Sequence, residues 1–202
     1  FFWFGAVMMV LFIGTIATTS VLPYIRELGM GYVAMAFGLI MLIRFKAVAN
    51  EFYMALDWDL LGFFMALFIV IDVMEHAHVL GLIGQGIVPM IELGATLGTG
   101  LMLVASAVAS SMTDNIPLSA MLAKILSGLG TSGDSTLWWA VIFGANLGGN
   151  ITPIGSASTL VAVTIIHRYQ LPLSFGGFVK KALPFALLQI VLAIAYVLLF
   201  LG

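Results

Sequence analysis

Two stretches of this 202-residue chain put ion- or solute-handling side chains inside otherwise apolar sequence. The first is Ser110-Ser111-Met112-Thr113-Asp114-Asn115-Ile116-Pro117. The second runs from Gly144 to Ser156 and holds four glycines, Pro153, and the polar side chains of Asn146, Asn150, Thr152 and Ser156. Backbone that leaves helical geometry at membrane depth is tolerated only inside protein or along a cavity. In transporters such breaks mark substrate and ion sites. Gly148 and Gly149 can end a first half-helix cheaply. Thr152-Pro153, or Ser156 further on, can start a second half. The carbonyls of one half and the amides of the other then face one gap, offering acceptors to a cation and donors to an anion. Asn146, Gly149, Asn150, Thr152, Gly155, Ser156 and Ser158 are the candidate ligands there. A glycine-rich packing face with a proline kink is the plainer alternative. It explains the glycines but not two asparagines and a Thr-Pro pair.

Asp114 is the most pointed residue of the first stretch. A carboxylate at membrane depth is costly and is a functional candidate by default. Burial favours the neutral form of a carboxyl and a bound cation favours the ionised form. Such a group can exchange a proton for a metal ion. Alternatively it caps a helix or lies in water at a loop. Ser111, Thr113 and Asn115 stand beside it as further ligands. A second ionisable group, Asp72, Glu75 and His76, falls at i, i+3 and i+4, on one helix face. It could relay protons, but it sits at the end of an apolar span where water solvates it, and the interfacial reading is favoured. His78 lies off that face, which weakens a metal trio. Lys124 either neutralises Asp114 or snorkels outward.

Composition decides what positions these groups. The chain is 62% hydrophobic and 8% charged, with mean hydropathy +1.19. A soluble domain carries about 25% charged residues, so this is an integral membrane protein. Its net charge of −2 gives no case for nucleic acid. The absence of cysteine excludes disulfides, thiolate metal sites and cysteine nucleophiles. The chain opens on apolar Phe1-Phe2-Trp3-Phe4 without Met or a charged n-region, so we expect that this stretch is not a signal peptide and that the chain is a piece of a longer one or was processed upstream.

Residues 1–22 read as one span closed by Pro23, with Arg26 and Glu27 at its exit. Residues 31–43 form a short span, 47–57 an interfacial segment, and 60–74 a third span anchored by Trp58. Residues 81–89 read as a turn-rich connection. Residues 94–111 and 118–126 are two short apolar arms around the Asp114 interruption. They predict a re-entrant hairpin, the alternative being two short spans joined by a surface loop. Residues 128–134 form a loop, and Ser135 or Thr136 caps the next helix. Trp138 and Trp139 form an interface anchor. That helix breaks at 148–156 and resumes to about His167. Lys180 and Lys181 precede a last span at about 183–201. The expected fold is an all-α integral membrane protein with about five transmembrane helices, one re-entrant hairpin and one mid-membrane broken helix. It forms one membrane domain, with leading spans and an interfacial segment over 1–57 and the remainder over 58–202.

With the hairpin entering and leaving on one side, Arg44, Lys46, Arg168, Lys180 and Lys181 share a side. That is five of the seven basic residues, so this side is expected to be cytoplasmic, with the hairpin entering from outside. Two complete spans would leave the same count, so charge does not separate these readings.

The motifs at 110–117 and 144–156 resemble the ion transporter superfamily, in particular arsenite permeases, NhaD-type sodium–proton antiporters and citrate-transporter-like permeases. The segment from Trp58 to Gly81, with Phe63, Phe64 and Glu75, looks similar too. The resemblance covers most of residues 58–202 and implies the C-terminal half of a two-half, inverted-repeat transporter. In that family each half gives a hairpin tip and a broken helix to a central site. Two departures matter. Dicarboxylate members resemble Ser-Asn-Thr at the tip, whereas this chain has Thr113-Asp114-Asn115. Nor do Ser156-Ala157-Ser158-Thr159 continue into Pro-Pro-Asn. An ionised aspartate repels an anion, so the tip leans toward cation, proton or neutral-solute handling.

The leading expectation is therefore a secondary transporter half, sodium- or proton-coupled, in a bacterial or archaeal plasma membrane. Cation–proton antiport or arsenite-type efflux leads, with a sodium-coupled citrate or dicarboxylate permease as the alternative. No cofactor and no structural metal are expected. The expected partners are the bilayer, a small ion or solute, and either a missing N-terminal half or a second copy in a homodimer. An intramembrane metal-dependent enzyme is the reading from another class. It lacks converging partners and an evident nucleophile–base pair. A non-transporting scaffold is a third.

Overall fold

The computed structural model describes residues 2–19, 21 and 27–202. Pro23 and Arg26, which close the first span in the sequence reading, lie outside the described residues. The fold divides into two compact units, Phe1–Leu61 and Gly62–Gly202. Among the described residues all regular structure is helical.

The first unit pairs α1 (Phe2–Ala17) with α2 (Met30–Arg44). Phe12 meets Phe37 and Phe4 meets Phe45, each with ring centroids 5.6 Å apart. The numbers run in opposite senses, so the helices are antiparallel. The Arg44 guanidinium lies over the rings of Phe4 and Phe45, at 5.8 and 5.2 Å. This satisfies a cation among apolar side chains. The chain then bends by 93° through a 3₁₀ turn (Lys46–Val48) into the short helix α3 (Ala49–Ala55). Trp58 Nε1 donates to Tyr53 O at 3.0 Å and seals that corner.

Helix α4 (Trp58–His76) leads into the second unit, where α5 (Val79–Ile91) follows at 77°. His78 takes the turn between them with φ 59. This corrects the reading of 81–89 as a connection. Gly81, Gly84 and Gly86 look like turn residues in sequence, but all lie within α5. Gly84 is there for close approach: a Cβ on it would lie 3.2 Å from the Ile125 side chain.

The centre of this unit is α6 (Ala95–Ser110) against α8 (Thr136–Gly148), its most extensive helix pair. Thr99 Oγ1 meets Thr136 Oγ1 at 2.7 Å. Further along, Gly144 packs on Leu103 and Ser106, and Gly148 packs on Ala107. The numbers climb together, so the two helices run parallel and end side by side. Small residues allow this spacing, as in membrane helix pairs generally. Met102, Leu103 and Leu126 are fully buried around the pair. Helix α7 (Asn115–Gly128) follows the tip, while α9 (Ala157–Arg168) and α10 (Phe175–Phe200) follow the break.

Ser135 caps α8, accepting from Leu137 N at 3.3 Å, as expected. In the loop before it, the Ser132 hydroxyl donates to the Asp134 carboxylate, and this holds the carboxyl below the ordinary aspartate range. Helix α10 starts at Phe175, so Lys180 and Lys181 lie inside its second turn rather than ahead of it.

Among the described residues, α10 alone is long and apolar enough by itself to cross a membrane; α2 with α3, and α4 with α5, pass together as bent pairs. The remaining apolar helices α1, α6, α8 and α9 have 16, 16, 13 and 12 residues. At 1.5 Å per residue each reaches about 18–24 Å, short of a hydrocarbon core of about 30 Å.

Candidate functional site

The first polar interruption is the turn from Ser111 to Asp114 between α6 and α7. The second is the segment from Gly149 to Ser156 between α8 and α9. Because α6 and α8 are parallel and end together, the two interruptions are neighbours. One hydrogen bond joins them directly, and two more join the helix ends that flank them. Thr152 Oγ1 donates to Ser111 O at 2.5 Å. Asn115 Nδ2 donates to Asn146 Oδ1 at 3.0 Å. The buried Ser110 hydroxyl donates to Ala145 O at 2.5 Å.

The glycines of the break work through proximity. Gly149 has φ −58 and ψ −17, and no glycine of the break has positive φ. A left-handed exit at Gly148-Gly149 is therefore not used. Instead, a Cβ on Gly155 would lie 2.7 Å from Gly149 O and 2.9 Å from Ser110 O. A Cβ on Gly149 would lie 2.7 Å from Gly155 O. The two ends of the break fold back on each other, with bare backbone against the end of α6. Gly144 and Gly148 belong to helix packing, so the plainer reading holds for those two.

The second half-helix starts at Ser156, not at Thr152-Pro153. Ser156 Oγ accepts from Thr159 N at 3.2 Å, and Thr159 Oγ1 accepts from Ser156 N at 3.2 Å. This reciprocal pair is a capping box. It engages the buried Ser156 hydroxyl, which also lies 2.9 Å from Ser158 Oγ. Asn150 is exposed, and no described residue bonds its side chain.

Asp114 caps α7: its Oδ1 accepts from Ile116 N at 3.0 Å. Thr113 Oγ1 donates to Ala109 O at 3.1 Å, and Ser111 Oγ donates to Val108 O at 2.7 Å. The tip hydroxyls thus tie the turn to α6 while their oxygens keep lone pairs for a ligand. Asn146 also donates to Ile142 O at 2.8 Å. The arrangement is a polar seam of amide, hydroxyl and carboxylate oxygens at two adjoining helix ends. Its chemistry suits oxygen coordination of a small cation or hydrogen bonding to an oxygen-rich solute.

Asp72, Glu75 and His76 are elsewhere. Glu75 accepts from Lys124 Nζ, and Asp72 lies 3.8 Å from the same nitrogen. His76 Nδ1 lies 3.5 Å from Asp72 Oδ2. Lys124 is ten positions after Asp114 along α7, about 15 Å of helix rise. Lys124 therefore serves the α4 carboxylates and does not neutralise Asp114. Among the described residues no group of three or more His, Asp or Glu could hold a metal ion.

Sequence reasoning missed Ser110 and Thr159 as supports of the seam. The Ser110-Ser111 pair and the Ser-x-x-Thr spacing were the available signals.

The family described as citrate transporter matches residues 1–144. The chain belongs to that family. The match includes the tip and ends where the second motif begins. A 46 kDa membrane protein of Mycobacterium leprae is 28% identical over 95% of this chain and 45% of its own length. An uncharacterized transporter of Mycobacterium tuberculosis is 32% identical over 73% of this chain and 35% of its own length. The P protein of Sus scrofa is 30% identical over 70% of this chain and 18% of its own length. The chain thus spans less than half the length of these family relatives. No solved structure matches it.

Proposed function

We propose that the chain is the membrane-embedded half of a two-half secondary transporter and carries half of its solute site. The observation that carries this reading is the bonding of two polar helix interruptions inside an apolar protein, directly through Thr152 with Ser111 and at their flanking helix ends through Asn115 with Asn146. On this reading Ser111, Thr113, Asp114 and Asn115 form the tip of a re-entrant hairpin. Asn146, Gly149, Asn150, Thr152, Gly155, Ser156 and Ser158 line the broken helix. Ser156 and Thr113 shape the site, while Asp114 and Asn150 reach the ligand. About five crossings carry these elements, and Arg44, Lys46, Arg168, Lys180 and Lys181 face the cytoplasm of a bacterial or archaeal cell. The other half comes from the rest of a longer chain or from a second copy.

A sodium ion or proton at Asp114 is the coupling species. The carboxylate has one oxygen committed to the cap, and its other oxygen is free to coordinate. Cation–proton exchange or efflux of a neutral arsenite-like solute follows most simply from that charge. The family's description favours a second reading, a citrate or other carboxylate substrate. A carboxylate meets an ionised Asp114 favourably only with a cation shared between them. Asp72 and Glu75 act as ion-pair partners holding α4 to α7 through Lys124, with His76 beside Asp72, and the three do not act as a relay into the site.

The test is flux in the full-length protein reconstituted in vesicles. Sodium and proton gradients are imposed separately, with citrate, arsenite and sodium itself as labelled solutes. Gradient-dependent movement of one of them is expected. Absence of movement for all three under both gradients contradicts the reading.

A further inference from the structure

The connection between α9 and α10 has a fixed shape. Gln170 adopts φ 57. Gln170 N donates to His167 O at 2.8 Å, and Leu171 N donates to Ile166 O at 3.2 Å. This pair of bonds closes α9 with a Schellman end. His167 Nε2 lies 2.9 Å from Leu173 O, and Ser174 Oγ accepts from Gly177 N at 3.1 Å to start α10. The fixed turn holds the two helices apart at an open groove of about 580 Å³. Its walls are Ile166, Leu171, Phe178, Ala182 and Phe185, and Lys181 lines it as well.

The charges that the two flanking helices bring to the groove have one sign. Asp134 is the last acidic residue of the sequence, so Arg168, Lys180 and Lys181 have no acidic residue after them or for more than thirty residues before them. An apolar channel with an exposed lysine in its lining, between helices that carry basic and no acidic residues, complements an amphiphile with an acyl chain and a negative head. Lysine stems lie along apolar surface while the ammonium seeks a polar phase. Basic residues at a membrane surface attract anionic lipid.

We propose that this groove seats one acyl chain of an anionic phospholipid, whose phosphate pairs with Lys181 in the field of Lys180 and Arg168. The proposal rests on the membrane reading and not on the Asp114 site, and its test involves no transport measurement.

The experiment is lipid retention by the detergent-purified full-length protein in native mass spectrometry. Dioleoyl phosphatidylglycerol and dioleoyl phosphatidylcholine are compared. The glycerol lipid should be retained preferentially, by roughly fivefold for each cation engaged. The paired variant Lys180→Gln with Lys181→Gln should remove the preference. Ala182→Trp, which fills the groove, should lower retention with both lysines intact. Leu171→Glu, on the exposed turn, makes the same test by charge should the filled variant fold poorly. Equal retention of the two lipids overturns the proposal. So does a preference lost with the lysines but untouched by Ala182→Trp and Leu171→Glu, because that describes surface charge without a groove. Displacement of the lipid by excess inorganic phosphate also overturns it, since a free anion would then suffice.

Discussion

Asp114→Asn is expected to leave the full-length protein folded and to cut coupled flux on the order of 100-fold, a loss of about 2.7 kcal/mol. The substitution is informative because of what it keeps. Asp114 caps α7 through the Ile116 amide, and asparagine caps a helix about as well as aspartate. The tip therefore retains its shape, and Asn115 still reaches Asn146. Only the charge is lost, and with it the group proposed to bind a sodium ion or carry a proton. Asp114→Ala removes both cap and charge and should cost about 1 kcal/mol of stability besides. Flux is measured in vesicles and stability by thermal unfolding of the same preparations. Normal gradient-driven flux in Asp114→Asn would leave Asp114 as a helix cap and nothing more.

The second large effect is structural. Gly148→Ala is expected to destabilise the protein by about 3 kcal/mol, because the new methyl has no room. An ideal Cβ there sits 2.6 Å from the Ala107 carbonyl carbon, and nearer still to its oxygen and Cα. Helix propensity alone predicts the opposite sign, a gain of about 1 kcal/mol for alanine over glycine. Gly86→Ala is the control. Gly86 is also helical, with nothing near its would-be Cβ, and should be neutral or slightly stabilising. Thermal midpoints of both variants in the full-length protein separate the two effects. A neutral Gly148→Ala would mean that α6 and α8 do not meet at Ala107, and the two interruptions would lose their common level.

Much of the candidate site was legible because it breaks a local rule. Asn, Asp and Thr inside apolar runs stand out without tertiary knowledge, and both interruptions fall where those residues put them. Ser135 and Ser156 were readable as caps for the same reason: capping is local chemistry. What failed depended on packing between distant segments. The glycines of α5 read as turns because a sequence does not show Ile125 arriving against Gly84. Lys124 read as neutralising Asp114 or snorkelling outward, and only the approach of α4 across 49 positions shows Glu75 as its partner. Gly148 and Gly149 read as a conformational exit, whereas both stay right-handed, and the bareness of the break glycines serves close approach to α6 and to each other. Lys180 and Lys181 read as a helix flank, yet both are exposed within α10, which starts about two turns earlier than expected.

The central claim is that the tip and the break form one ligand site. Ligand-dependent thermal stabilisation of the full-length protein tests it most directly, scanned over sodium, lithium, arsenite and citrate. A ligand at 100 times its dissociation constant adds about 2.7 kcal/mol. At least one of the four should raise the midpoint, and Asp114→Asn on the tip and Asn150→Ala on the break should each abolish that rise. A rise that survives in both variants would place the ligand elsewhere and contradict the account.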